Sequence, residues 1–279
     1  MEWEGRQESE NVQDRRSFGP KSIAIGGGIG GVIIVVLGLL FGVDPSQLLQ
    51  LTEQPNAQQK GKADPEEERQ AHFAKVILHD TEEIWDEQFK KIGKTYRKPQ
   101  MVLYTAQVRS GCGAADSSIG PFYCPADSTV YLDLSFFQDM QRKLNAPGEF
   151  ARAYVIAHEV GHHVQRELGY PAKAERLSGE SKNHRSVRLE LQADFLAGVW
   201  AHHGKQKYKN FVQQGDIESA LNAASQIGDD RLQANRGHIE PESFTHGTSE
   251  QRMRWFKKGF DKGDVREAEL LIDLRYDQL

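Results

Sequence analysis

The 279-residue chain is 38% apolar and 27% charged, with a formal net charge of −5 at pH 7. This is globular composition, which excludes a disordered or collagen-like chain, and the length allows one large domain or two small ones. The mildly acidic balance, without a basic stripe interleaved with aromatics, gives no support for nucleic acid as a partner.

Residues 1–21 are polar and read as a tail. Ser22 to Val43, SIAIGGGIGGVIIVVLGLLFGV, carries no charge. At helical rise it extends about 33 Å, enough for a bilayer core, so residues 22–43 are expected to form a transmembrane helix. Gly26, Gly28 and Gly31 match G-x-G-x-x-G, but that motif needs a strand before it and an amphipathic helix after it, so a nucleotide site is rejected. Gly26/Gly30 and Gly27/Gly31 have the spacing that lets two membrane helices pack into a homodimer; glycine simply tolerated in lipid is the alternative. No small-x-small cleavage pattern follows the run, which favours an uncleaved anchor. Arg15, Arg16 and Lys21 precede it and Asp44 follows it. That bias puts the tail in the cytoplasm and the rest of the chain outside it. Residues 44–65 are Gln-rich and aperiodic, a linker, and residues 66–279 form the remaining domain.

A helix is expected to start at DPEEE, with Asp64 as N-cap, Pro65 in the first turn and Glu66 to Glu68 at the positive end of the dipole. Phe73, Ile77, Ile84 and Phe89 mark its buried face. QMVLYTAQV and STVYLDLSFF, β-branched and aromatic, read as strands. The loop between them holds Cys112 and Cys124, too far apart for a C-x-x-C site. Outside the cytoplasm a disulfide is their natural state; two buried thiols are the alternative. Helices are expected from about Phe150 to Leu168, from Ser186 to His202, after Asp216, and from TSEQRMRWF, where Thr248 and Gln251 have capping-box spacing. Helix, short strands, then mostly helices is an α+β pattern.

The chemistry centres on YVIAHEVGHHVQREL. His158, Glu159 and His162 form H-E-x-x-H. Residues four apart share one helix face, so both imidazoles can reach one ion. Glu159, rotated from that line, can touch a water at the ion without ligating it. Zinc suits this donor set, and a catalytic site keeps one position open for water. A third ligand is needed. The metzincin extension requires Gly at 165 and His at 168, where the chain has Gln165 and Leu168. Downstream, Glu190 and Asp194 lie four apart in the apolar run RLELQADFLAGVWA. Glu190 fits the third ligand, and Asp194 fits an acceptor behind the ring of His158.

HEVGH with ELQAD downstream resembles the gluzincin metallopeptidases. With MEWEGRQESENVQDRR, GGGIGG, GPFYCPAD, VYLDLSFF and SFTHGTSEQRMRWF, the whole chain resembles the bacterial putative neutral zinc metallopeptidase family. The resemblance implies a zincin-like catalytic domain at residues 66–279 and one Zn2+ per chain; it brings no substrate with it, and a peptide or protein of unknown identity is the expected partner. It also implies a place in the bacterial inner membrane, with the catalytic domain periplasmic. It makes His246 the candidate oxyanion donor, with a helix-capping loop residue as the alternative, and Arg252 a structural or substrate-binding charge. THGTSEQR departs from the late motif of the CAAX-prenyl protease relatives, having Gly247 where that motif has Pro. Zincins hold substrate along a sheet edge, and Val130 to Leu134 is the candidate edge, an inner strand the alternative. His163 points about 100° away from the ligand pair and reads as a satisfied histidine. His184, His202, His203 and His238 lack ligand spacing. Zinc-dependent peptide hydrolysis with Glu159 as general base is therefore expected. A non-enzymatic envelope-anchored module with a structural metal is the rival, and hydrolysis of a non-peptide amide shares the same residues.

Overall fold

The computed structural model describes residues 1–16, 64–142, 144, 146–234 and 240–279. The expected membrane span, almost all of the linker, and His238 lie outside the described residues. Among those described, no helix is long and apolar enough to cross a membrane.

Asp64 caps helix α1 (Pro65–Lys91) as its sequence demands, its carboxylate accepting the Glu66 N–H at 3.0 Å. Phe73, Ile77, Ile84 and Phe89 are each 3% exposed or less, so the face read from the sequence is the face that packs. The chain then enters a four-stranded sheet in the order β1 (Val12–Asp14), β2 (Gln100–Tyr104), β6 (Thr129–Asp133) and β5 (Phe122–Cys124). β2 and β6 are parallel, with Val102 opposite Tyr131, and β5 pairs antiparallel with β6 at the sheet edge. β3 (Gln107–Ser110) and β4 (Gly113–Asp116) form a separate hairpin. Both expected strands are shorter than read, and one residue accounts for it. Asp133 accepts the Ala106 N–H and the Ser135 N–H, each at 2.9 Å. The first bond holds the turn after β2, and the second starts helix α2 (Ser135–Arg142), where SFF was read as strand. Cys112 and Cys124 are joined, tying the hairpin turn to edge strand β5.

Residues 1–16 are not a tail apart from the domain. Val12–Asp14 form β1, parallel to β2 with Val12 opposite Met101. Trp3 is 2% exposed and packs edge-on against Phe73, with ring centroids 5.2 Å apart. Strand pairing by a polar segment uses backbone groups, which leave no hydrophobic period to read.

The helical half is built on α3 (Glu149–Leu168) and α5 (Lys182–Lys207). α5 starts four residues before the expected Ser186, because Ser181 caps it by accepting the His184 N–H. α4 (Tyr170–Glu175) joins the two, and α6 (Asp216–Gln226) packs on α3. α7 (Asp229–Ala234) leads towards α8 (Ser249–Lys262), and α9 (Leu270–Asp273) closes the body. α8 starts in the expected capping box: Thr248 Oγ1 accepts the Gln251 N–H at 3.1 Å and Gln251 Oε1 accepts the Thr248 N–H at 2.9 Å. α8 lies backbone to backbone on α5. A Cβ on Gly259 would sit 1.9 Å from the Phe195 carbonyl oxygen, and one on Gly198 2.1 Å from that of Phe256. That contact brings Arg252 under α5.

Candidate metal centre

α3 and α5 also meet closely. A Cβ on Gly161, inside the H-E-x-x-H segment, would lie 2.9 Å from the carbonyl oxygen of Ala193, inside ELQAD. The missing side chain lets the histidines of one helix reach the carboxylates of the other. His158 Nε2 is 3.2 Å from Glu190 Oε2, and His162 Nε2 is 3.5 Å from Glu190 Oε1. One donor atom from each of the three lies within 4.8 Å of the others. Tetrahedral zinc with bonds near 2.0–2.1 Å places neighbouring donors about 3.3 Å apart. The two His–Glu separations bracket that value.

Each imidazole is held from behind, which leaves Nε2 to face the centre. His158 Nδ1 donates to Asp194 Oδ1 at 2.8 Å. His162 Nδ1 donates to Gln165 Oε1 at 3.0 Å, and Gln165 is itself fixed by donating to the Leu189 carbonyl at 2.5 Å. Such supports set the tautomer of a ligating histidine. Asp194, fully buried, is the hub. It also accepts from the Tyr154 hydroxyl at 2.6 Å and from Arg252 Nε and Nη2 at 2.8 and 3.1 Å. Arg252, 2% exposed, is thus a structural cation beneath the centre.

The electrostatics favour a cation here. Burial disfavours charge on His158, yet Asp194 and Glu190 on either side overcome it and lift the ring to about 10. Burial opposes charge on Glu190 as well, but His162 and His158 hold it well below the usual carboxylate range. Asp194 falls to about 2, burial being outweighed by Arg252 and His158. An imidazole with a carboxylate at each nitrogen must either carry an extra proton or bind a positive ion. The His158–His162–Glu190 donor set suits zinc in that place. Glu159 differs: burial pushes its carboxyl up, against the pull of His158 and His162. A raised carboxyl is what a base working near neutral pH requires.

A cleft of about 420 Å³ opens onto these residues. Its floor is His158, Glu159, His162 and Glu190, and its walls include Ile119, Phe122, Phe136, Val155, Leu232 and His246. A larger cleft of about 790 Å³ lies elsewhere, by Lys91, Lys173 and Arg266, away from the His–His–Glu cluster. His246 is half-exposed and fixed by Asp229, whose Oδ1 lies 3.2 Å from Nδ1 and whose Oδ2 accepts the N–H groups of Thr245, His246 and Gly247. The Asp229 bond, opposed by burial, raises the His246 pKa.

Of the two readings of Val130 to Leu134, the inner strand holds: the segment overlaps β6, flanked by β2 and β5, and the sheet edge by the site is β5. A centrally placed apolar strand and an edge strand look alike in sequence. His163 is buried and satisfied: its Nε2–H donates to the Arg97 carbonyl at 2.6 Å, and Nδ1 accepts from the Tyr123 hydroxyl at 3.0 Å. It thereby moors β5 to α3. His184 stacks on Tyr276, and His202 and His203 bond to the carbonyls of Phe260 and Gly263, so none joins the cluster. Gln165, Tyr154 and Asp229 were not identified as site residues from sequence. Gln165, three residues after His162 on the same face, was the one with a readable signal.

A sequence profile of the family described as "Putative neutral zinc metallopeptidase" matches residues 1–270. An Escherichia coli K12 chain, Uncharacterized protein YpfJ, is 50% identical over 284 residues, covering 96% of this chain and 98% of its own. Uncharacterized protein Rv2575 of Mycobacterium tuberculosis H37Rv is 43% identical over 189 residues, 64% of each chain. No solved structure matches.

Proposed function

Because this chain belongs to the neutral zinc metallopeptidase family along nearly its whole length, we propose that it is a zinc-dependent peptidase. The observation that carries this reading is the convergence of His158, His162 and Glu190 at the floor of a cleft that also holds Glu159. Among the described residues the cluster comprises three candidate ligands, the number of a catalytic rather than a closed structural site. That favours the enzyme over a binding module with a structural metal. Zinc, when bound, supplies Lewis acidity that polarises a peptide carbonyl and acidifies water.

The chain's own residues supply the rest. Glu159 takes a proton from the attacking water and delivers it to the leaving amine. His246, oriented by Asp229 at the cleft wall, donates to the oxygen on which negative charge develops. β5 offers its free edge to an extended peptide. Ile119, Phe122 and Val155 favour an apolar side chain beside the scissile bond. The Cys112–Cys124 disulfide supports a location outside the cytoplasm.

The test is a peptide-library digest with parent protein and Glu159→Gln, each assayed for bound zinc. The variant should hold one zinc per chain and lose at least about a hundredfold in kcat, the scale of general-base catalysis. Unchanged cleavage by the variant, or cleavage by the parent after exhaustive chelation, refutes the assignment.

A further inference from the structure

One wall of the cleft over the metal centre is made from a single stretch of chain. Ile119, Gly120, Pro121, Phe122 and Tyr123 all line it, and all five fall between Cys112 and Cys124, which are 12 residues apart and bonded to each other. The floor comes from elsewhere: His158, Glu159 and His162 from α3, and Glu190 from α5. Wall and floor are separate pieces of the fold, and the disulfide belongs to the wall.

The two ends of this wall are held unequally. The hairpin that precedes it, β3 and β4, carries QVRS and GAAD and is mostly exposed, so it buries little apolar surface to fix its position. A two-stranded hairpin of this kind is marginal by itself. Its turn bonds towards the sheet through the Gly111 N–H, which donates to Asp127 Oδ2 at 2.6 Å, but that bond is exposed and water can replace it. Ile119, at the lip of the cleft, is 57% exposed. The far end is secured. Phe122 stacks on Tyr131 with ring centroids 4.9 Å apart, and the Tyr123 hydroxyl donates to His163 Nδ1 at 3.0 Å. Cys124 is fully buried, whereas Cys112 is exposed. The disulfide thus fastens a weakly packed hairpin to the fixed end of the wall.

We propose that the Cys112–Cys124 disulfide positions the substrate-binding wall, and that its reduction lowers peptide affinity while the metal centre stays intact. The inference rests on the peptidase reading. The reductant is a dithiol. One of its thiolates attacks the exposed Cys112 sulfur, the bond to Cys124 breaks, and the Cys124 sulfur leaves as a thiolate that takes up a proton. The second thiolate of the reductant then displaces the Cys112 sulfur, which is protonated in turn. The protein gains two electrons and two protons, and the reductant ends as a disulfide. Without the cross-link, a free loop of this length has about a hundredfold more conformations open to it. Pairing of β5 with β6 and the His163 bond keep part of the order, so a smaller penalty falls on each binding event.

The test is steady-state kinetics on a peptide from the library digest, with bound zinc measured alongside, for the oxidised chain, the chain reduced by a water-soluble phosphine, and Cys112→Ser. A phosphine replaces the dithiol because dithiols bind zinc. The chain has two cysteines, so a reductant effect reports on this bond. Reduction should raise KM at least about tenfold, change kcat less and leave the zinc in place. Cys112→Ser, at an exposed position, should match the reduced parent and no longer respond to the phosphine, and reoxidation should restore the parent's KM. An unchanged KM on reduction overturns the proposal. Loss of zinc together with activity overturns it too, since the bond would then staple the whole body rather than the wall. An oxidised parent that cleaves no peptide refutes the peptidase reading itself, and the wall's role with it, so the two failures are distinct.

Discussion

Asp194 is the residue whose removal tests most of the site at once. It is wholly buried and accepts from His158, Tyr154 and Arg252. Its carboxyl is held down at about 2, burial being outweighed by Arg252 and His158. By linkage this is on the order of 2 kcal/mol of folding stability at neutral pH. The folded-state value is depressed, so the contribution is complete above about pH 4 and disappears as pH falls through about 2. Asp194→Asn should cost about that amount. Asp194→Ala should cost more, about 3–5 kcal/mol, because it leaves Arg252 charged, buried and unpaired. Adding Arg252→Leu to Asp194→Ala should restore part of the loss. Zinc affinity should fall about 10–100-fold in both single variants, since His158 loses its support. The assay is urea unfolding of the purified protein at pH 7 and pH 3, with competition against a zinc chelator. An Asp194→Ala protein as stable as the parent at pH 7, or no rescue by Arg252→Leu, would refute the reasoning.

Gly161→Val should destabilise by about 1–3 kcal/mol through overpacking against Ala193 and lower the zinc content, both measured on purified protein. Gln165→Leu should weaken zinc binding about tenfold in chelator competition while leaving the circular dichroism unchanged, because it removes one acceptor behind His162. His246→Asn should lower kcat by about a hundredfold with zinc retained, and Asp229→Asn less, if His246 acts on the developing oxyanion; steady-state kinetics on a peptide from the library decide it.

Several features were legible locally. The α1 cap at Asp64 and the α8 capping box at Thr248 depend on residues within a turn of one another, so spacing suffices to find them. His158 and His162 are set on one face by helical period alone. Glu190 and Asp194 were found by a related argument: two carboxylates in an apolar helix need partners, whatever those partners are.

What the sequence determined about this protein was therefore the His158–His162–Glu190 cluster, the helices that carry it and the neighbouring carboxylate Glu159, because each follows from periodicity or from the cost of burying charge. Only the tertiary structure decided that β5 rather than β6 is the free edge, that Arg252 props Asp194, that Gln165 backs His162, and that residues 1–16 pack into the domain with Val12–Asp14 as one of its strands. Edge position, the far end of a long side chain and backbone pairing by a polar segment are all set by which distant elements meet, and no local period records that. The glycines at 161, 198 and 259 join the two levels. In sequence they are helix-weakening residues, and in the fold they are where helices touch closely enough for His158, Glu190, Asp194 and Arg252 to act together.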